Sequence, residues 1–409
     1  MDEIVIIGGG ASGLMAAAQL SLLGVRCTLL EKNKILGKKL RITGKGRCNV
    51  TNACEVRTLV ENTVSGGRFL YGAFSSFSPE DTMAFFEMQG VPLKTERGGR
   101  VFPESDKAID ITQALIRGAD KAKVVHGEAS KIIMENGAVS GVLLKDGKTI
   151  SAKCVLLATG GASYPLTGST GDGYKMAQAL GHTIMPIRPS LVPLVSSEKW
   201  VHTLSGISLR NVELSLYQNE KKIFSDFGEL LFTHFGLSGP LVLSASAHMG
   251  ASASGMVKID LKPALSEEKL DARLTRELTE SPKRQMKAVM KTLLPQAMAD
   301  PILKKAGMHE GMRACDVTKV QRENLKNVLK GLEIKIDGFR PIDEAIVTAG
   351  GVSVKEIQPK TMESKLIRGL YFAGEVIDTD AYTGGFNLQI AFSTATAAAR
   401  AMAEERYEE

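Results

Sequence analysis

"IVIIGGGASGLMAAAQLSLLGVRCTLLE", residues 4–31, reads as strand, turn, helix and second strand. Ile4–Ile7 is a short apolar run suited to a strand buried on both faces. Residues 12–23 are rich in Ala and Leu, and Gly24 is a helix stop. "VRCTLLE" then supplies a second buried strand that ends in an acid, completing a βαβ unit with a right-handed crossover. Gly8, Gly10 and Gly13 follow G-x-G-x-x-G. Gly8 permits the tight turn, Gly10 lets backbone approach a diphosphate, and Gly13 lets helix pack on strand. Ala11 and Ser12 open the helix, where unpaired N–H groups and the dipole favour negative charge. Glu31 stands eighteen residues after Gly13, at the spacing of a ribose-binding acid. The stretch predicts a dinucleotide lying across the first strand–helix junction.

Working outward, the 409 residues are enough for two or three domains. Hydrophobic content of 44% and charged content of 23% are those of a globular protein, and no stretch approaches the length of a membrane span. Residues 1–10 lead straight into the first strand, leaving no room for a signal peptide. Five scattered cysteines without C-x-x-C, and six histidines without H-x-x-x-H, argue for reduced thiols in a cytoplasmic protein and against a metal site. Net charge is +6 and unevenly placed. Residues 32–47 hold seven bases and no acid, and residues 262–330 hold fifteen bases against nine acids.

Later segments complete the same domain. "RVFPESDKAIDITQALIRGAD" reads as a connection and an amphipathic helix. The stretch from "KVVHGEAS" to "LLATGG" reads as a β-meander with turns at Asn136-Gly137 and Asp146-Gly147, then a return strand at 155–158. "GLYFAGEVIDTDAYTGGFNLQIAFSTATAAARAM" reads as strand, loop and alanine-rich helix, so both ends of the chain share one sheet. Between them, residues 191–263 alternate in short runs, as in a small antiparallel β domain. Helical patterning takes over at 265–330, where Lys283, Lys287 and Lys291 are four apart and should share one helix face. Residues 331–339 return to a β pattern.

The two-part cofactor domain, with its meander and C-terminal return, suits FAD better than NAD. The chain resembles the BaiN/RdsA family of NAD(P)/FAD-dependent oxidoreductases. The resemblance rests on "GGGASGLMAA", "GKKLRITGKGRCNVTN", "LLATGGASYPLTGSTGDGY", "LLFTHFGLSGP", "TAGGV" and the run from "PKTMESK" to "STATAAA". The expected fold is α/β: a discontinuous FAD-binding Rossmann-like domain (1–190 and 341–409), an inserted antiparallel β domain (191–264 and 331–340) and a helical subdomain (265–330).

The resemblance implies flavin contacts from the "GKGRCN" turn, with Gly46, Arg47, Cys48 and Asn49 near the ring. Lys32 follows Glu31 at the adenosine end, while Lys38, Lys39 and Arg41 would neutralise the diphosphate or the phosphates of a substrate. Ala129 would hold adenine through its backbone. Thr159 and Gly160 would approach the diphosphate, and Gly374, Glu375 and Asp378 would meet ribityl and phosphate groups. Asn387 and Leu388, at the start of the last helix, would lie under the flavin edge that gains negative charge on reduction. Cys48 and His234 are the candidate catalytic residues, as proton donor and substrate-orienting group, each with a purely structural alternative. Tyr164, Tyr382 and Ser238 are further pocket candidates.

Three functions are compatible with these residues. One is reduction of an activated C=C bond, with uridine in 23S ribosomal RNA converted to dihydrouridine, an activity known in the family. The basic 262–330 segment suits such a substrate, because phosphate contacts supply affinity. Another is reduction of a small-molecule enone, or oxidation of an amine such as aminoacetone. The third is a regulatory flavin-holding protein without turnover. No second dinucleotide fingerprint is visible, so either NAD(P)H docks transiently as donor or another donor serves.

Overall fold

The computed structural model describes residues 3–250 and 253–405. The chain divides into two compact units, one of Met1–Ser190 with Pro341–Glu409 and one of Leu191–Arg340.

The first unit is organised by five parallel strands in the spatial order Leu370–Phe372, Cys154–Leu157, Ile4–Ile7, Cys27–Glu31, Ala122–His126. Ile4 lies opposite Cys154 and Ile7 opposite Leu157, while Val155 lies opposite Leu370. All four residues of the first strand are buried, as its unbroken apolar run requires. Numbered along the chain, the strands run 5-4-1-2-3, so the order reverses between Ile4–Ile7 and Cys154–Leu157. Ligands of open α/β sheets lie outside the carboxyl ends of the strands at such a reversal. Two helices rich in alanine, Ala11–Leu22 and Phe386–Glu405, share the core with these strands. Their small side chains let backbone layers approach closely.

The meander follows as Ala129–Glu135, Ala138–Leu144 and Thr149–Ser151. Asn136 and Gly137 both take positive φ (50° and 78°), the geometry of a tight two-residue hairpin turn. Ile184–Ser190 pairs antiparallel with Val347–Val352, Ser190 opposite Val347.

The second unit has one seven-stranded antiparallel sheet, and its helices share that sheet's hydrophobic core. Leu270, Leu274, Leu325 and Leu329 from the helices pack with Leu214, Val257 and Ile259 from the strands. The shared helix face expected for Lys283, Lys287 and Lys291 is corrected here. The helix spans only Met286–Met290, with Lys291 as its C-cap, and Lys283 stands before it in a turn closed by the Arg284 N–H on the Ser281 carbonyl. Pro282 is the physical reason, since the residue before a proline avoids helical dihedrals and the preceding helix ends at Glu280. Among the described residues, no helix is long and apolar enough to cross a membrane.

Candidate active site

The glycines of the first turn are set apart by what a side chain would meet. Gly8 has φ +109°, and a Cβ there would lie 2.4 Å from the Ala158 carbonyl oxygen. A Cβ on Gly13 would lie 1.8 Å from the Gly8 oxygen. Gly10 is the opposite case, with no atom within 4 Å of the equivalent position. The helix that starts at Ala11 has no side-chain cap and no acid in its first turn. Open space before an uncapped helix N-terminus fits the diphosphate of FAD, because the first N–H groups lack intrahelical partners.

Glu31 is buried beside this turn. Its Oε2 accepts the Gly9 N–H at 2.7 Å, and its Oε1 accepts the Asn33 backbone and side-chain N–H groups, each at 2.7 Å. The carboxylate is thereby fixed at the end of the second strand, with one acceptor position on Oε2 remaining for a ribose hydroxyl.

Across the crevice, Thr159 Oγ1 is buried without a partner, and the Gly8 position touches Thr159 Cα. Gly160 turns at φ +73° beside Ser169. Gly374 has φ +72°, and a Cβ there would strike Ser12 Oγ at 2.0 Å, so glycine is what lets this loop reach the first helix. The structure thus brings Gly8, Ser12, Gly13, Thr159 and Gly374 around one crevice.

Four of the seven basic residues at 32–47 have protein partners. Lys32 pairs with Asp172 and donates to Thr170 Oγ1, while Lys38 donates to the Leu166 carbonyl at 2.6 Å. Burial works to raise Asp172, yet the bonds from Lys32 and Thr170 prevail and hold it below the usual carboxylate range. Lys39 Nζ lies 2.8 Å from Glu375 Oε2 and 2.8 Å from Ser163 Oγ. Arg47 bridges Glu96 at 2.5 Å and Asp106 at 2.6 Å, with its guanidinium 4.1 Å from the Phe102 ring centre. Its bond holds Glu96 below the ordinary range, and Lys94 together with Arg47 does the same for Asp106. Lys39 thus meets a carboxylate of the protein, whereas the Lys38 bond to a neutral carbonyl leaves its charge uncompensated. Arg41 differs: its Nε is buried without a partner.

The "GKGRCN" turn is left-handed at Gly44, Lys45, Gly46 and Cys48 (φ 56°, 58°, 86° and 60°). For Lys45 and Cys48 this costs roughly 1–2 kcal/mol each. The anchored Arg47 and the Cys48 N–H on the Thr43 carbonyl at 3.0 Å hold the turn in place. Gly46 faces open space, and Asn49 Oδ1 is buried without a partner, so both suit a ring lying against the turn.

Cys48 itself is 0% exposed, and burial pushes its thiol up to about 12. This enclosure favours the packing alternative over the proton-donor role for Cys48. A general acid is worth about 10²–10⁴-fold in rate, so Cys48→Ala should hold turnover within about threefold of the parent. A loss of about 100-fold at normal FAD content would restore the acid role. His234 lies in the second unit, between the strands Lys221–Thr233 and Gly236–Ser238, edge-on to Phe235 at 5.0 Å. Ser238 ends the latter strand.

The remaining candidates each have a defined place in the fold. Ala129 begins the first meander strand opposite Leu144. Tyr164 takes a left-handed φ of 52°, with Lys39 Nζ 6.0 Å from its ring centre. Asp378 is half-buried, and burial followed by neighbouring Asp380 pushes its carboxyl up. Asn387 fastens the preceding loop, accepting the Ala381 N–H at 3.0 Å and donating to the carbonyls of Ala381 and Tyr382. Leu388 packs on the main core. Two residues organise this unit: Glu375, expected from the resemblance to meet ribityl and phosphate groups, and Gln389, which the sequence reading missed. Glu375 Oε1 accepts the Thr348 N–H at 2.8 Å and the Ser163 hydroxyl at 3.2 Å, besides the Lys39 bond on Oε2. Gln389 is fully buried and joins Thr51, Thr82, Ser393 and the Phe77 carbonyl. Their partners are distant in sequence, and no local pattern announces them.

Comparison with known proteins places this geometry. The HI0933-like protein Rossmann domain matches residues 2–401. A ribosomal RNA dihydrouridine synthase of Haemophilus influenzae is 33% identical over 411 residues, 99% of each chain. A 3-dehydro-bile acid delta(4,6)-reductase of Clostridium scindens is 31% identical, over 99% of this chain and 100% of that one. Among solved structures, a flavocytochrome c3 fumarate reductase superposes with TM-score 0.52 at 16% identity, covering 98% of this chain and 78% of that chain. A 3-ketosteroid delta1-dehydrogenase from Sterolibacterium denitrificans does so with TM-score 0.51 at 12% identity, over 98% and 99%. The glycine turn, the strand reversal and the match along nearly the whole chain lead to one conclusion: the chain belongs to the HI0933-like Rossmann-domain family of FAD-dependent oxidoreductases.

Proposed function

We propose that this protein is a cytoplasmic FAD-dependent reductase of an activated C=C bond, acting on uridine in 23S ribosomal RNA with NAD(P)H as electron donor. The observation that carries the reading is the 33% identity, end to end, with a ribosomal RNA dihydrouridine synthase. When bound, FAD supplies the hydride chemistry. The chain's own residues bind and orient it. The helix opening at Ala11 would hold the diphosphate, Glu31 the ribose, and the Gly46 and Asn49 turn the ring. The Arg47 anchor keeps that turn fixed, which limits motion of whatever stacks on it. With one G-x-G-x-x-G of proper context in the sequence, a nicotinamide donor would meet the flavin by transient docking.

The 31% identity to the bile acid reductase favours a second substrate, a conjugated steroid ketone. Uracil and a dienone share a C=C bond conjugated to carbonyl, so one hydride-delivering site serves either. Mass spectrometry of 23S rRNA from a strain lacking this protein decides between them. Loss of one dihydrouridine, regained on complementation, is expected. Unchanged dihydrouridine together with turnover of a steroid enone by the purified protein would replace the first substrate with the second.

A further inference from the structure

Resting on the RNA reading above, we propose that the surface where residues 282–286 run beside 312–315 is a phosphate-backbone handhold for the RNA substrate. The two stretches are joined by a short antiparallel ladder. The Pro282 and Arg284 carbonyls accept the N–H groups of Cys315 and Ala314 at 2.9 Å each, and the Met286 N–H donates to Met312 at 2.8 Å. Gln285 stands opposite Arg313. Met286 and Ala314 are buried, at 0% and 3% exposure, and root the ladder in the unit's core. Lys283, Arg284 and Arg313 are left exposed on that rooted frame, with exposed Lys291 following at the end of the adjoining helix.

Of the seven bases at 32–47, Lys32, Lys39 and Arg47 each meet a carboxylate brought in from a distant segment. Residues 281–319 hold eight Lys or Arg against three Asp or Glu. Lys287 alone takes two of those acids, Asp300 at 2.8 Å and Glu310 at 2.9 Å. Among the described residues, Lys283, Arg284, Lys291 and Arg313 make no ion pair. Fixed cations that the protein leaves uncompensated gather counterions, and a nucleic acid strand that displaces them gains affinity from ion release. A small neutral or monoanionic substrate has no use for such a surface, whereas a chain of phosphates does.

The test compares flavin-loaded wild type with the triple variant Lys283→Gln, Arg284→Gln, Arg313→Gln, binding an unmodified 23S rRNA transcript across a salt series. Each lost phosphate contact lowers the log–log salt slope by about 0.7–0.9. The variant should therefore bind at least about tenfold more weakly near physiological salt, with a slope smaller by about 2. Its FAD content and its NAD(P)H-driven flavin reduction without RNA should match wild type, which shows that the fold is intact. A second variant, Lys283→Arg with Arg313→Lys, should keep the wild-type slope. If the triple variant binds as wild type does while wild type forms dihydrouridine, the handhold is wrong and the RNA reading stands. If wild type neither binds the transcript nor forms dihydrouridine, the RNA reading fails and the handhold with it.

Discussion

Gly10→Val yields a folded protein that holds no flavin; this is the expected result of filling the one glycine of the turn that faces open space. Gly10 has extended backbone, φ −84° and ψ −163°, which any residue adopts, and a Cβ there meets no protein atom within 4 Å. The added isopropyl group therefore branches from open space, where a bound diphosphate would meet it. Overpacking of this kind costs about 3 kcal/mol, or ~100-fold in affinity. The thermal midpoint of the FAD-free variant should stay close to that of FAD-free wild type, while FAD titration fails to saturate. Gly13→Ala is the contrasting case, because its methyl would overlap the Gly8 carbonyl and disturb the strand–helix packing itself. Stoichiometric FAD on Gly10→Val would mean that the diphosphate lies elsewhere.

Glu375→Ala carries the largest expected loss of stability. The carboxylate is 19% exposed and the Lys39 side chain 22%, so the pair is mostly out of water. It also receives Thr348 N–H and Ser163 Oγ–H, and Thr348 Oγ1 in turn accepts the Ala162 and Ser163 N–H groups. Four stretches of chain thus meet on one acid. Breaking a buried pair by removing one partner costs roughly 3–5 kcal/mol, and partial exposure puts this case near the lower end. Denaturant unfolding of the FAD-loaded protein measures it. Lys39→Met combined with Glu375→Leu should recover most of the loss, since an apolar replacement leaves no stranded charge. A single-variant change under about 0.5 kcal/mol, the range of an ordinary surface substitution, would remove Glu375 from the role of organiser.

What could be read from sequence divides along a physical line. The glycine turn, the strand Ile4–Ile7 and the hairpin at Asn136-Gly137 are dictated within a few residues, by sterics and by apolar patterning. The α/β class and the return of the chain's end to the first sheet follow from the same local signals. The partners of the early bases were illegible, because Asp106, Asp172 and Glu375 lie 59, 140 and 336 residues away from the cations they meet. Asn387 and Gln389 share one motif, yet only packing shows that one fastens a loop and the other ties the last helix to Thr51 and Thr82. Lysines four apart looked like a helix face, and Pro282 overrode that spacing. For Cys48 the sequence left an acid and a buried packing thiol both open, because burial depends on contacts made by distant segments.

The spatial order of the parallel strands has a consequence for synthesis. Leu370–Phe372 forms an edge of the sheet beside Cys154–Leu157, and Phe386–Glu405 shares the core of the first helix. Neither exists until the ribosome has passed the whole of the inserted unit. The Leu191–Arg340 unit, in contrast, is contiguous and can condense as soon as it emerges. The first-made strands must therefore wait longest for their neighbours. A nascent polypeptide arrested just after residue 340 would carry a finished insert and an unfinished coenzyme cradle.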